Sequence, residues 1–501
     1  MTDIARLGVV EASALLARRG VSATELAEAL LSRIREVDGV HSHEGDPASI
    51  NAWVRIYEED ALASAARADD RLSESGVRRE GAAPALTGVP IGLKDLYGVA
   101  GRPLTASSRL LQDVPAEDCD VWRRLSVAGM VLLGHLHTHE FAAGGTTDQV
   151  GSPWGLERSA GGSSGGSAAA LASRTTPAAT GTDTAGSLRI PSACCGTSAL
   201  KPTRGLVSNA GIVPLAWSLD HAGPMARSVA DAAALLTAMA GTDLRDDATR
   251  DASPKASDYT KHLDANALKG ARLGVVRSQF GGRNDLVSAE VEKALKVLEA
   301  QGAVLVDIPE LPNAGKYGAT ELEVMLTELK AGMEAYLKEW APDAPVRTLA
   351  DIIAFNEAHK DKVMPYFGQE HFLNAAKKGG LDSKEYLDAL AANHRLLRGE
   401  GIDKVLGENK LDALIAPTTG PAWITDFIKG DASGGSFSSP AAVAGYPHVT
   451  VPAGFVQGLP CGISFVGAAW SESRLIALAY AFEQASKARK PPTFPKTVNG
   501  W

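Results

Sequence analysis

Three short stretches carry the side chains best suited to chemistry. Residues 161–167 read Gly-Gly-Ser-Ser-Gly-Gly-Ser, which by composition alone is a flexible linker. The context argues otherwise, because Ala168-Ala169-Ala170-Leu171-Ala172 follows at once. The run therefore feeds a helix N-terminus and presents several backbone N–H groups. A second stretch, residues 181–191, reads Gly-Thr-Asp-Thr-Ala-Gly-Ser-Leu-Arg-Ile-Pro. Small residues flank Ser187 there and let the backbone turn tightly, so its N–H groups can line an oxyanion hole. The third is Gly88-Val89-Pro90-Ile91-Gly92-Leu93-Lys94-Asp95, an apolar run ending in a lysine. Most such lysines reach solvent. A buried one becomes a base near neutral pH if its pKa falls from ~10.4 by roughly three units, or ~4 kcal/mol.

Two other patterns compete for attention. Gly161-Gly162-Ser163-Ser164-Gly165 satisfies the G-x-S-x-G nucleophile elbow, and Asp412 and His448 follow in the required order. That motif needs a strand directly before it, and Pro153 to Ala160 is not patterned as a buried strand. His135-Leu136-His137-Thr138-His139-Glu140 puts alternating imidazoles on one strand face, but without metal-ligand spacing it reads as polar residues at a strand end. A lone histidine such as His221 reads as structural. No metal and no other cofactor is expected.

Taken together, the three stretches resemble the amidase signature family. The matching strings are GVPIGLKD around Lys94, GGSSGGSAAA around Ser163, GTDTAGSLRIPS around Ser187, and ALKPTRG at Ala199–Gly205. Lys94 and Ser163 are 69 residues apart, and Ser163 and Ser187 are 24 apart, a second spacing that is nearly fixed in the family. Residues 218–228 and 458–463 are also similar, so the resemblance runs from about residue 10 to 490.

The resemblance implies a Ser-cisSer-Lys triad, with Ser187 as nucleophile, Ser163 as the bridging serine in a cis peptide, and Lys94 as terminal base. It also implies an oxyanion hole from the backbone N–H groups of Thr184, Ala185, Gly186 and Ser187. Asp183, Arg189 and Ser164 are its supporting residues. Ala185 stands where the family usually has a second glycine, which adds a methyl at the oxyanion loop. Residues 416–423, 441–447 and 349–356 are similar to the peptide amidase branch, whose members deamidate C-terminally amidated peptides. The first half is closer to general amidases, which leaves the substrate open. The implied reaction is hydrolysis of a carboxamide or an aryl or alkyl amide, through an acyl-enzyme, to a carboxylate plus ammonia or amine. The alternative is the glutamine-hydrolysing subunit of a tRNA-dependent amidotransferase. The Gly-Ser-Phe-Ser-Ser loop at 435–439 weighs against that alternative, because it lacks that subunit's acidic glutamine-binding character. Trp217, Trp423 and Tyr446 lie near matched segments and are the candidate substrate contacts.

These loops need a rigid scaffold, and the sequence pattern supplies one. Ser22 and Glu25 form a capping box ahead of Leu26, Leu30 and Ile34, giving a helical lead-in over residues 1–75. Beyond a polar loop at Gly81–Pro84, apolar runs at 89–93, 130–133, 272–276, 304–308, 413–416 and 449–452 alternate with helical patterns such as 121–128 and 472–487. That alternation predicts an α/β fold, a central mixed sheet covered by helices on both faces. Residues 315–410 are almost wholly helical in pattern and predict a cap. With no linker and no repeat, the 501 residues read as one large domain.

Composition narrows the partners. Fifty Lys and Arg against 59 Asp and Glu give a net charge of −9 without a basic run, so nucleic acid is not expected. Nothing resembles a signal peptide or a membrane span. Cys119, Cys194, Cys195 and Cys461 include no C-x-x-C pair, so reduced thiols are expected; a cytoplasmic monomer or homodimer is the expected state.

Overall fold

The computed structural model describes residues 3–39, 41, 46, 48–75, 85–280 and 285–498. The polar loop expected at Gly81–Pro84 lies outside the described residues. Eleven strands form one mixed sheet: β1 (Trp53–Ile56), β2 (Pro90–Lys94), β3 (Val131–Leu136), β6 (Ala178–Asp183), β7 (Ser198–Lys201), β8 (His221–Ala226), β9 (Arg272–Val276), β10 (Val304–Ile308), β11 (Ala413–Pro417), β12 (His448–Val456) and β13 (Leu459–Val466). Their order across the sheet is β1-β3-β2-β6-β8-β7-β12-β13-β11-β9-β10. β4 (Gly151–Ser152) and β5 (Gly155–Ser159) make a separate two-stranded hairpin.

The sheet's interior strands are not all the β-branched runs that a sequence scan finds. β6 reads Ala-Ala-Thr-Gly-Thr-Asp and β8 reads His-Ala-Gly-Pro-Met-Ala, and both are buried throughout. Small side chains are required because neighbours approach closely. A Cβ on Gly181 would lie 2.6 Å from Leu188 Cδ2 and from Met225 Sδ, and one on Gly223 would lie 2.5 Å from the Leu200 carbonyl oxygen. Packing thus overrides intrinsic strand preference here.

Helices Gly165–Ser173 and Arg189–Cys195 pack on one face of the sheet, and helices Val229–Met239, Asp285–Ala300 and Glu472–Ser486 on the other. The lead-in is not wholly helical, because Trp53–Ile56 pairs antiparallel with β3 as the edge strand. The capping box holds as expected, with Ser22 Oγ accepting from Glu25 N–H and the Glu25 carboxylate accepting from Ser22 N–H. From Gly318 to Asn409 every regular element is helical.

Candidate active site

β2 and β6 are parallel neighbours, so the ends of both open at the same edge of the sheet. Lys94 is the last residue of β2 and is fully buried. Its Nζ donates to Ser163 Oγ at 2.7 Å and to Thr182 Oγ1 at 2.8 Å. Burial is the main influence on the amine and pushes its pKa down to about 7, although the carboxylates of Asp183 and Asp220 oppose the shift. A lysine in that range is substantially neutral at physiological pH.

The Gly-Ser run is a buried structural element rather than a linker. The Gly162–Ser163 peptide bond is cis. The Ser163 carbonyl accepts from His139 N–H at 3.0 Å and from Thr147 Oγ1 at 3.2 Å. Ser164 N–H donates to the Ser187 carbonyl at 3.3 Å, and Ser164 Oγ to the Thr182 carbonyl at 3.3 Å. Ser164 thus joins the two serine-bearing loops. Gly162 must be glycine, because a Cβ there would meet the Gly145 carbonyl at 2.7 Å.

Ser187 is only half-buried. Its loop turns through Gly186, whose φ of 141° and tight packing under Ile190 and Ser438 exclude a side chain. Asp183 holds this turn, with Oδ1 accepting from Gly186 N–H at 2.9 Å and Oδ2 from Leu188 N–H at 3.0 Å. The Gly186 N–H is therefore committed to Asp183, contrary to its expected place in the oxyanion hole. That leaves Thr184, Ala185 and Ser187 as the candidate donors. Burial alone would raise the Asp183 carboxyl, but Arg189, paired to it at 2.6 and 2.9 Å, holds it well below the usual carboxylate range. Arg189 also donates to the Ser438 carbonyl at 2.9 Å and to His448 Nδ1 at 2.7 Å.

Two further braces reach the loop, and neither is apparent from sequence. Ser438, within the Gly-Ser-Phe-Ser-Ser segment, donates its Oγ hydrogen to the Ala185 carbonyl at 2.6 Å. Thr184 Oγ1 donates to Asp220 Oδ1 at 2.6 Å, while Asp220 Oδ2 accepts from Leu215 and Ala216 N–H, both at 2.9 Å. The Leu215–Asp220 turn is tied in turn to the helical cap. Ser218 N–H donates to Glu328 at 2.9 Å, and Tyr386 OH donates to the same carboxylate at 2.7 Å. A polar chain thus runs from the cap to the oxyanion loop.

The competing patterns do not assemble. Contrary to expectation the segment before Ser163 does contain a strand, β5, but it pairs only in the separate hairpin and its middle residues are part-exposed; Asp412 accepts from Arg272 N–H at 2.8 Å, while His448 lies against Arg189 and Ser464. His135 bridges Tyr57 OH and the Tyr97 carbonyl, His137 approaches Ser107, and His139 donates to the Glu140 carbonyl. No cluster of three metal-ligating residues occurs among the described residues. His221 donates through Nδ1 to the Asp183 carbonyl at 3.2 Å, a structural contact beneath the site.

A cavity of about 550 Å³ lies between residues 107–109, 139–149, 356–372 and 427–431. It shares a wall with the triad region, because Gly145 abuts Gly162 and His139 bonds Ser163. The three aromatic candidates are not among its lining residues. Trp423 is nonetheless close, since its Nε1 donates to Thr146 at 3.2 Å and Asp431 at 3.1 Å, both on the cavity wall. Trp217 packs against Gly332 of the cap. Tyr446 is buried in a hydrophobic cluster with Leu414 and Val466, its hydroxyl donating to Asp403 at 2.7 Å. The cavity-lining residues are scattered over distant loops and carry no local motif.

The amidase family model matches residues 25–476. Among solved structures, the peptide amidase of Stenotrophomonas maltophilia superposes with a TM-score of 0.89 at 40% identity, covering 98% of this chain and 99% of that one. Among curated relatives, a glutamyl-tRNA(Gln) amidotransferase subunit of Acinetobacter baylyi is 34% identical over 97% of both chains. A probable amidase of Arabidopsis thaliana is 37% identical over 87% of this chain and 83% of its own.

Proposed function

The chain belongs to the amidase family and is an amide-hydrolysing enzyme, and we propose that it releases ammonia from primary carboxamides, C-terminal peptide amides foremost, through an acyl-enzyme on Ser187. The observation that carries the catalytic assignment is the buried Lys94 amine 2.7 Å from Ser163 Oγ, beside the loop that presents Ser187. In its neutral form Lys94 turns its lone pair to the Ser163 hydroxyl and takes its proton, while Ser163 takes the proton of Ser187. A hydroxyl suits this bridge because it donates and accepts at once. The Ser187 oxygen attacks the carbonyl carbon, and the oxyanion is held by the N–H groups of Thr184, Ala185 and Ser187. Collapse of the intermediate breaks the C–N bond as Ser163 returns a proton to the departing nitrogen. Water, deprotonated by the same relay, then releases the carboxylate.

The likeness to the Stenotrophomonas peptide amidase over nearly the whole of both chains supports the peptide-amide reading. The curated relatives named as amidotransferase subunits support a second reading, a glutamine-hydrolysing component of such a complex. The serine-rich 435–439 segment favours the first, because it carries no acidic residue and its Ser438 braces Ala185 and Arg189. No described helix is long and apolar enough to cross a membrane. The four cysteines are buried and unpaired, which supports a reducing, cytoplasmic setting. We take the enzyme to act as a monomer or homodimer, without nucleic acid.

The test is release of ammonia from a peptide amide, an amino-acid amide and glutamine, and of aniline from an anilide, each beside Ser187→Ala. Turnover of the peptide amide that the substitution abolishes supports the reading. Glutamine turnover that appears only with a partner protein transfers it to the second.

A further inference from the structure

The cavity beside the triad has an unbalanced lining. Four carboxylates, Glu140, Asp148, Glu370 and Asp431, face two cations, Arg109 and Lys362. The two imidazoles on the wall, His139 and His371, have their pKa values shifted down by burial, so they add no positive charge at the pH where the carboxylates are ionised. A further acceptor comes from Asn356, which is only 1% exposed and lines the same cavity. Its amide orientation is fixed, because Gln369 Nε2 donates to the Ile353 carbonyl and leaves Gln369 Oε1 to accept from Asn356 Nδ2. Asn356 Oδ1 is then a buried acceptor with no partner among the described residues, a position that a donor-bearing ligand would satisfy.

At the mouth, Tyr366 and Phe427 stack with ring centroids 4.2 Å apart, and both are exposed. The cavity thus offers an apolar rim over an acceptor-rich interior. Building on the amide-hydrolase reading, we propose that this cavity selects amides whose acyl portion carries a positive charge, held by Asp148, Glu140 and Asp431 with Asn356 as the neutral acceptor. Electrostatics agrees with the geometry. Burial pushes the Glu140 carboxyl up to about 7 and, with Asp431 nearby, Asp148 also to about 7. Negative charge is costly there until a cation arrives, and an ammonium group with three donors supplies both the charge and the hydrogen bonds.

The experiment compares ω-aminoalkanamides of increasing chain length with alkanamides of matched length, in the full-length enzyme at pH 8. The readout is the ratio of kcat/KM for each cationic amide to that of its neutral isostere. At the chain length that reaches the carboxylates the ratio should exceed about tenfold, and it should collapse toward one in Asp148→Asn and in Glu140→Gln. Because a ratio is read within each variant, partial loss of folded protein does not mimic the effect. A ratio near one at every length in the wild type, or a ratio kept in both variants, overturns the cation site while leaving the amidase reading intact. Absence of hydrolysis of every amide, charged and neutral, overturns the parent reading and this one with it.

Discussion

Replacing Lys94 by methionine should give an enzyme that is dead yet more stable at neutral pH, because the wild-type fold must strip a proton from a buried amine. The folded amine titrates at about 7 against 10.5 for an ordinary lysine. Between those values the unfolded chain holds a proton at this site that the folded chain has released, so stability rises with pH across the window. At ~1.4 kcal/mol per unit, the cost of neutralising Lys94 is about 4 kcal/mol at pH 7 and about 2 kcal/mol at pH 9. Methionine escapes that cost but forfeits the bonds to Ser163 and Thr182, worth about 1 kcal/mol each. The net expectation for Lys94→Met is a gain of about 2 kcal/mol at pH 7 that vanishes by about pH 9. Urea unfolding midpoints of the two proteins at both pH values measure it. A variant less stable than wild type at pH 7, or a gap that does not narrow with pH, would refute the buried neutral amine.

The same amine sets the pH profile. Activity should fall about tenfold per unit below pH 7, as Lys94 becomes protonated, and level off above pH 8; a rate that peaks below pH 6 contradicts a lysine base. Ser187→Ala and Ser163→Ala should each lower kcat/KM by roughly 10³-fold or more, and the double variant should be little worse than either, since the residues act as one relay. Multiplicative losses would separate their roles. Asp183→Ala leaves Arg189 buried without its partner and should destabilise the fold by about 3–5 kcal/mol in urea titrations; an unchanged midpoint would deny the brace its structural role. Glu328→Gln, at the cap end of the chain through Ser218 and Asp220 to Thr184, should lower kcat several-fold with KM unchanged. Equal effects on both constants would mean that it acts on substrate binding instead.

The candidate catalytic residues stand out in the sequence because the geometry around them demands residue types that leave a local trace. Gly162 and Gly186 are fixed by a carbonyl and by a packed turn that exclude any Cβ, and Lys94 ends an apolar run because a strand end is where a lysine can be both buried and aimed. Where packing replaces pattern, the sequence falls silent. β6 and β8 are built mostly from Ala, Gly, Thr and Pro so that neighbours can approach, and they give no strand signal although they are interior strands of the sheet. The Gly186 N–H shows a finer limit. Its position in the motif marks it as an oxyanion donor, yet the Asp183 that accompanies it in the same motif uses that hydrogen to hold the turn.

The acceptor-lined cavity shows the limit of another kind. Glu140, Asp148, Asn356 and Asp431 come from segments that share a wall only after folding, and each alone looks like an ordinary polar residue. On the proposed reading, chemistry is concentrated in contiguous motifs, while selectivity is distributed over loops and short helices that can vary without disturbing Lys94, Ser163 or Ser187. This division accounts for a chain that matches peptide amidases and amidotransferase subunits alike over almost its full length. On that reading the choice of substrate is to be sought in the cavity wall rather than in Lys94, Ser163 and Ser187.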